Sequence, residues 1–237
     1  MKIGTINIDW FKKSKATKNL MEEKINKQDF DFLIVTENVL SFNFNQKYYT
    51  YHSQQIPTDK EFQHLHYGDY LKGETPVRTS IYSKYKSIET IKVADDYTSV
   101  CHKFNVAKKE IIIYGSIIGT WGIKYQNEIA KTELENFKTD IQTISAQNEN
   151  VIIVGDFNTS FFENEKRELA TIKSRSELVA ITDKLKINRA TENLKENIDH
   201  IFISSKLHHQ SQIAVSVFLE NDCLKDEPHQ GICVEII

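Results

Sequence analysis

Short apolar segments of strand length recur along this chain, and several of them end directly before a carboxylate or amide side chain. The clearest is VIIVGDFN, in which four β-branched residues lead into Asp156 and Asn158. Continuous Val and Ile runs of this kind are typical of strands that are buried on both faces. Between such runs lie segments with helical spacing, for example residues 133–144. Because strands and helices alternate, we predict a layered α/β fold and not a helical bundle or a pure barrel.

The composition favours one folded domain that spans residues 1–237. Apolar residues make up 40% of the chain and charged residues 27%, which is ordinary for a globular protein. With only 8 glycines and 3 prolines, no linker-like stretch divides the chain. No segment reaches the roughly 18 apolar residues that a membrane helix needs. We therefore expect a protein without membrane attachment.

The cysteines indicate a reducing compartment, and the charge balance excludes a basic coat protein. Cys101, Cys223 and Cys233 are far apart and show no zinc-binding spacing, so we expect reduced thiols in a cytoplasmic protein. The apolar run at the start of the chain is short and is interrupted by Asn7 and Asp9, so it does not form a secretory signal. A net charge of −3 excludes a generally basic nucleic-acid coat protein, although it permits a nuclease with a local basic rim.

Polar side chains with metal-binding or acid–base chemistry lie at or near the ends of the predicted strands. Each of them alone fits an ordinary turn, because Asp and Asn commonly form turns. Together they combine carboxylate and amide oxygens, which suit a hard cation such as Mg²⁺, with histidine, which titrates near neutral pH. Rigid sheets commonly hold catalytic groups on the loops that follow their strands. The candidates are Asn7, Asp9, Glu37, Asp156, Asn158, Asp199, His200 and His229.

Five short motifs, in a fixed order along the chain, carry a specific resemblance. They are NID at 7–9, TE at 36–37, GDFN at 155–158, IDHI at 198–201 and PHQG at 228–231. This ordered set resembles the endonuclease/exonuclease/phosphatase superfamily, which includes AP endonucleases, pancreatic-type DNases, sphingomyelinases and inositol-polyphosphate phosphatases. The resemblance covers almost the whole chain. It implies an α/β fold of four layers, an α-β-β-α sandwich in which helices flank two central mixed β-sheets and the site lies at one edge.

The resemblance implies a role for each carboxylate near a metal ion. Glu37 matches the principal metal-binding residue of the family, and Asp9 matches an acid that AP endonucleases place close to the metal. The implied metal is Mg²⁺ or Mn²⁺. Asp156 matches the residue that positions or deprotonates the attacking water. Asp199 matches the residue that pairs with the catalytic histidine.

The remaining matched residues are implied to act on the phosphate. Asn7 would bind near the scissile phosphate and orient the metal-binding Glu37, and Asn158 would donate a hydrogen bond to the phosphate. His229 matches the histidine that contacts the phosphate and stabilises its charge in the transition state. His200 is given no role, because a histidine commonly follows the motif aspartate without one.

Two positions depart from the family pattern. The residue before His229 is Pro228, where the family has Asp, so the affinity and the number of the metals are left open. After the segment EIIIYGSII, the family's His or Tyr is missing from residues 116–121. A catalytically weakened relative that binds a nucleic acid or a protein partner is therefore kept as a hypothesis.

Basic residues near the predicted site bear on the substrate. Lys12 and Lys13 follow the first strand and would contact phosphate, although such lysines are often only solvated. Arg78, on a later strand, would either contact phosphate or partner an acid. Lysine and arginine beside aromatic residues favour nucleic acid, so we predict a metal-dependent phosphodiester hydrolase, foremost an intracellular nuclease acting on DNA. A phosphatase or phosphodiesterase for small or lipid phosphate esters is the alternative, and the oligomeric state is left open.

Overall fold

The computed structural model describes most of the chain and all of the candidate site residues. Pro228 and Cys223 lie outside the described residues, as do the last two residues of the segment 116–121. The described residues are 1–10, 12–42, 47–56, 75–119, 128–163, 165, 172–220 and 229–237.

The described strands form two six-stranded sheets. In spatial order, the first sheet contains β11 (Ile213–Leu219), β12 (Gly231–Ile236), β1 (Lys2–Asn7), β2 (Phe32–Val39), β4 (Pro76–Ser83) and β3 (Tyr49–His52). The second sheet contains β5 (Ser87–Thr90), β6 (Ser99–Val106), β7 (Lys109–Ile117), β8 (Val151–Asp156), β10 (Asp199–Ser204) and β9 (Ile187–Arg189). The described helices are α1 (Lys15–Asn26), α2 (Glu128–Gln147), α3 (Ile172–Lys184) and α4 (Ser205–His209).

Each sheet contains one parallel pair of strands in an otherwise antiparallel arrangement. In the first sheet β1 and β2 are parallel and flank α1, and in the second sheet β7 and β8 are parallel and flank α2. Parallel neighbours need such a crossover, because the end of one strand and the start of the next lie at opposite edges. The C-terminal ends of all four strands therefore meet at one edge of the sandwich. There Asn7 is in register with Thr36, and Ile117 with Asp156.

Apolar side chains fill three interfaces between the layers. Ile34 of the first sheet and Ile152 of the second belong to the core between the two sheets. Met21 and Ile25 of α1 pack on the outer face of the first sheet. Residues of α2 and α3, such as Phe137, pack on the outer face of the second sheet. The predicted fold class is confirmed, because two mixed sheets lie face to face with helices around them.

The local sequence explains where the helices lie. Ser14 caps α1, since its side-chain oxygen accepts a hydrogen bond from the backbone N–H of Thr17 at 3.2 Å. The helix predicted over residues 133–144 extends in both directions to Glu128–Gln147. Within the described residues, no helix has the length and apolar character needed to cross a membrane.

Candidate active site

The candidate site lies at the sandwich edge where the parallel pairs end, and each sheet supplies part of it. Asn7, the last residue of β1, and Asp156, the last residue of β8, are each 1% exposed. The side-chain amide of Asn7 donates a hydrogen bond to Asp156 Oδ2 at 3.0 Å, which joins the two sheets. The other carboxylate oxygen, Asp156 Oδ1, accepts a hydrogen bond from the backbone N–H of Asn158 at 2.8 Å. Both oxygens of Asp156 are therefore held.

Asp199 and His229 form the second pair across the sheets. Asp199, the first residue of β10, lies directly opposite Asp156 in the register of β8 and β10. His229 comes just before β12, the strand that pairs with β1. The Nδ1–H of His229 donates a hydrogen bond to Asp199 Oδ2 at 2.9 Å. This bond fixes the orientation of the imidazole ring at the site.

Buried carboxylates close to one another shift the protonation equilibria of the site. Burial, and then the charge of Asp199, raise the pKa of Asp156 to about 7. Burial also raises the pKa of Asp199, against the opposing effect of His229. Burial of His229 disfavours its imidazolium, but the charges of Asp199, Asp156 and Glu37 outweigh burial and raise the pKa of His229 to about 10. At neutral pH an imidazolium therefore lies beside an acid that titrates near pH 7.

Three site residues adopt the left-handed backbone conformation that non-glycine residues rarely occupy. The φ angles are 36° at Asp9, 51° at Glu37 and 47° at Asn158. The conformation costs an L-residue roughly 1–2 kcal/mol, less for Asp and Asn than for Glu. The backbone N–H of Trp10 donates a hydrogen bond of 3.1 Å to the carbonyl of Glu37 and helps to hold the Glu37 backbone in this conformation. Five other non-glycine residues of the described part of the chain share this conformation, so it describes the local backbone here and does not by itself mark the site.

The structure brings most of the predicted site residues together. Glu37 is close enough for its charge to raise the pKa of both Asp156 and His229. Asn158 donates through its side-chain amide to the carbonyl of Ile118 at 2.9 Å. The group that meets at this edge is Asn7, Glu37, Asp156, Asn158, Asp199 and His229.

Asp9 lies beside this group but points to a different partner. Its backbone N–H donates to Asn7 Oδ1 at 2.8 Å, so it is tied to the end of β1. Its buried carboxylate oxygen Oδ2 lies 3.1 Å from the ammonium of Lys12. The charge of Lys12, which was expected to contact the substrate, is thus shared with a carboxylate of the site. Lys13, the second such lysine, is partly exposed just before α1.

Arg78, for which a phosphate contact or an acidic partner was expected, lies inside the protein. Arg78 is 1% exposed, and its Nη1 donates to Glu133 of α2 at 3.1 Å. The sequence left open that Arg78 partners an acid, and this is the environment in which the side chain lies.

The donor atoms of the site fit a divalent metal ion. One ligand atom from each of Asp156, Asp199 and His229 lies within 4.8 Å of the others. Asp199 Oδ1 is buried and has no hydrogen-bond partner among the described residues. Carboxylate oxygens suit Mg²⁺ and Mn²⁺, and a cation would offset the repulsion between the acids. His229 is an imidazolium bonded to Asp199 and would not be a ligand, so the carboxylates of the site are the groups that agree with the metal that the resemblance implies.

Two residues that the sequence analysis did not single out support the Asp199–His229 pair. Asn197 Oδ1 accepts a hydrogen bond from the backbone N–H of Asp199 at 3.3 Å, and its amide group donates to the Asp199 carbonyl. Gln230 Nε2 donates to the carbonyl of Lys195 at 3.0 Å and so anchors the residue after His229. The sequence signal for Asn197 is its position two residues before Asp199, where Asn forms local turns. Gln230 has no such signal.

Three solved structures show this fold over nearly the whole chain. The 3'-5' exonuclease NExo from Neisseria meningitidis has a TM-score of 0.70 and 13% identity, covering 100% of this chain and 99% of its own. A structure of the 3' phosphatase NExo from Neisseria bound to a product DNA hairpin has a TM-score of 0.71 and 13% identity, with coverages of 100% and 99%. An AP endonuclease from Archaeoglobus fulgidus has a TM-score of 0.68 and 12% identity, again covering 100% and 99%. At such identities the likeness shows a shared fold alone.

Comparison with models of protein families identifies the family of the chain, which likeness of fold alone does not. Among curated protein sequences, none matches the chain. The sequence model described as the Endonuclease/Exonuclease/phosphatase family matches residues 4–221, which include four of the five motifs. The fifth, PHQG at 228–231, follows that region and delivers His229 to Asp199. On this match the chain belongs to the endonuclease/exonuclease/phosphatase family.

Proposed function

We propose that this protein is a divalent-metal-dependent phosphodiester hydrolase and that its substrate is DNA. The proposal is supported above all by the two cross-sheet pairs, Asn7–Asp156 and Asp199–His229, which gather a base and a positive charge at one edge. A phosphodiester resists hydrolysis because its negative charge repels the nucleophile and its leaving oxygen is a poor one. A catalyst must therefore provide a base for water and positive charge for the phosphoryl oxygens.

Asp156 is the proposed general base. Asn7 and the backbone N–H of Asn158 orient its carboxylate, so a water bound to it would be held in one direction for in-line attack. Its pKa of about 7 suits a base that accepts a proton at neutral pH. As the water attacks, its proton would move to a carboxylate oxygen of Asp156.

His229 is the proposed donor to the developing charge. Asp199 holds the imidazolium through Nδ1, which keeps the ring charged and directs Nε2–H as a donor to a phosphoryl oxygen. The side-chain amides of Asn7 and Asn158 would add neutral donors beside it. Because these groups are held before the substrate arrives, they need little rearrangement during the reaction.

Glu37, with Asp156 and Asp9, would hold Mg²⁺ or Mn²⁺. When bound there, such an ion would supply positive charge to the phosphoryl group and the leaving oxygen. Glu37 is suited to this role because its charge already acts on both Asp156 and His229. Asp9 would share its carboxylate between the metal and Lys12, whose ammonium is 3.1 Å away.

DNA is proposed on grounds of charge and of likeness. Lys12, Lys13 and Lys18 lie between the end of β1 and the first turn of α1, and Lys18 Nζ is 4.0 Å from the centre of the Trp10 ring. Lysines around an aromatic ring suit a phosphate backbone with bases attached. Proteins with the same fold are NExo, described as an exonuclease and, in a complex with a product DNA hairpin, as a 3' phosphatase, and an AP endonuclease.

A cytoplasmic location is part of the proposal. Cys101 and Cys233 are free thiols, and both are buried. Burial raises the pKa of both thiols, so neither has the thiolate character of a reactive cysteine. Free thiols are typical of proteins in reducing compartments.

A phosphatase acting on a small or lipid phosphate ester is the second candidate. It is favoured by the Asp9–Lys12 pair, which partly neutralises a lysine close to the site. Supercoiled plasmid, a 3'-phosphorylated oligonucleotide and an inositol polyphosphate, assayed side by side with Mg²⁺, separate the candidates. We expect plasmid cleavage. Phosphate release from the inositol polyphosphate alone would overturn the nuclease proposal, and tight DNA binding without cleavage would indicate a weakened binding protein.

Mg²⁺ is expected to stabilise the protein more at alkaline than at acid pH. The pKa of Asp156 is about 7 when folded and about 3.9 when unfolded, so without metal its contribution to stability is full below about pH 4 and is lost as the pH rises to about 7. Metal binding needs the ionised carboxylate and so grows over the same range. The gain in melting temperature on adding Mg²⁺ should therefore be larger by several degrees at about pH 8.5 than at about pH 5.5.

The matched variant for that measurement is Glu37→Gln, which keeps the size of the side chain and removes a proposed metal ligand. Its Mg²⁺-dependent gain should be small at both pH values. A gain that is equal at both pH values in the unaltered protein, or a gain that is undiminished in Glu37→Gln, would contradict the metal assignment.

Replacing Lys12, Lys13 and Lys15 together by Gln is expected to weaken DNA binding more than chemistry. Each lost phosphate contact reduces the slope of log K against log salt by roughly 0.9 for duplex DNA, because fewer counterions are released. The triple variant should show a shallower salt dependence and a higher KM, with kcat nearly unchanged. Lys108→Gln with Lys109→Gln, in the turn that begins β7 far from the site, is the control. An unchanged slope would mean that the three lysines do not contact the phosphate backbone of DNA.

A further inference from the structure

We propose that His200 is a positioning residue that holds the catalytic loop, defined here as residues 156–160. The inference rests on the function proposed above. His200 follows Asp199 on β10, and successive side chains of a strand point to opposite faces. Asp199 therefore faces the site while His200 faces the helix side, where it is 0% exposed. The ring lies nearly parallel to that of Phe157, with 6.2 Å between the ring centroids, and it meets the ring of Phe161 edge-on at a centroid distance of 4.7 Å.

Both ring nitrogens of His200 have partners, and these select one tautomer. Nε2 lies 3.0 Å from the backbone carbonyl of Thr159, which only accepts, so Nε2 carries the hydrogen and donates. Nδ1 lies 3.1 Å from the hydroxyl of Thr191. That hydroxyl accepts from the backbone N–H of Ile201 at 3.0 Å and has its own hydrogen left for Nδ1. Burial lowers the pKa of His200 to about 3, so the ring is neutral and this arrangement persists through the neutral range.

The bond to Thr159 acts at the position where the catalytic loop most needs support. Thr159 directly follows Asn158, which has the unfavourable left-handed φ of 47°. Asn158 in turn donates its backbone N–H to Asp156 and its side-chain amide to Ile118, at 2.8 and 2.9 Å. A shift of the Thr159 carbonyl would move Asn158 and so release one of the bonds that orient the Asp156 carboxylate. His200 therefore acts on the proposed base through the backbone and without touching the substrate.

The test separates the donated hydrogen bond from ring packing. His200→Phe keeps a flat ring for Phe157 and Phe161 but cannot donate to Thr159. His200→Gln loses the ring and retains a side-chain N–H. Thr191→Val keeps the histidine and removes the hydroxyl that selects its tautomer. His209→Phe, at an exposed position of α4, is the matched control for the substitution itself.

We expect His200→Phe to remain folded and to lower kcat by about 10- to 100-fold with little change in KM, since a small misplacement of a catalytic group costs this much. His200→Gln should recover part of kcat, Thr191→Val should show a smaller loss, and His209→Phe should match the unaltered protein. Hydrogen exchange at the backbone N–H groups of Phe157 and Asn158 should quicken in His200→Phe and not in His209→Phe.

A folded His200→Phe variant with unaltered kcat and unaltered exchange at these two amides would overturn the inference. The exchange measurement does not need turnover. If no phosphoester is hydrolysed by the unaltered protein, the proposed function fails, while quickened exchange in His200→Phe would still support the positioning role.

Discussion

Replacing Asp199 or His229 by Ala is expected to lower kcat on a DNA substrate by about 100-fold or more, and replacing both is expected to cost little more. The reason is their mutual dependence. The Asp199–His229 hydrogen bond of 2.9 Å orients the ring, and the Asp199 charge is the main favourable cause of the raised pKa of His229. Without Asp199 the histidine loses its orientation and the largest favourable contribution to its charge, so removing the histidine afterwards changes little.

The double-mutant cycle is measured from single-turnover rates at saturating Mg²⁺. His209→Ala with Asp183→Ala serves as a matched control. Asp183 lies in the last turn of α3 and pairs with Arg189. His209 is the last residue of α4, which follows the end of β10 that is opposite to Asp199, so it lies away from the site. Losses that multiply in the double variant would show that Asp199 and His229 act independently.

Glu37→Gln is expected to remove Mg²⁺-dependent turnover, with a loss of roughly 1,000-fold or more, while the fold stays intact. Glu37 contributes a carboxylate beside Asp156 and His229, and the amide of Gln keeps the shape but binds a hard cation poorly. Melting curves without metal should agree with those of the unaltered protein.

The control for Glu37→Gln is Glu235→Gln, an exposed glutamate on β12 that pairs with Lys2. It should retain full turnover. If Glu37→Gln keeps a near-normal rate at saturating Mg²⁺, the assignment of Glu37 as the principal ligand is wrong, and Asp156 and Asp199 become the residues to examine.

The layered fold is predictable because its central strands carry their own signal. β8 is a run of Val and Ile that can be stable only when covered on both faces, and β2 has the same character. The edge strands β3, β5 and β9 were not predicted. They are short and partly exposed, so tertiary pairing and not local composition defines them. β11 was not predicted either, although its sequence IAVSVFL is rich in residues that favour strands.

The candidate site is predictable to a similar degree and for a different reason. The motifs lie at or near strand ends, and within each sheet a parallel crossover carries the ends of two strands to one edge, which is why Asn7 lies near Glu37 in the first sheet and Asp156 at the matching end of the second. Partners set by long-range packing do not show in the sequence. Arg78 finds Glu133 on α2, 55 residues further along the chain. Lys12 pairs with Asp9 only three residues away, a local contact that the sequence permits but does not specify.

Hydrolysis of a supercoiled plasmid, with Mg²⁺ or with EDTA, tests the central claim most directly. The unaltered protein should nick or degrade the plasmid with Mg²⁺, stop in EDTA and recover when Mg²⁺ is returned in excess. Asp156→Asn, which removes the proposed base, should bind the plasmid and leave it intact under the same conditions. Cleavage that persists in EDTA, or cleavage by Asp156→Asn at the rate of the unaltered protein, would contradict a metal-dependent phosphodiester hydrolase built on this site.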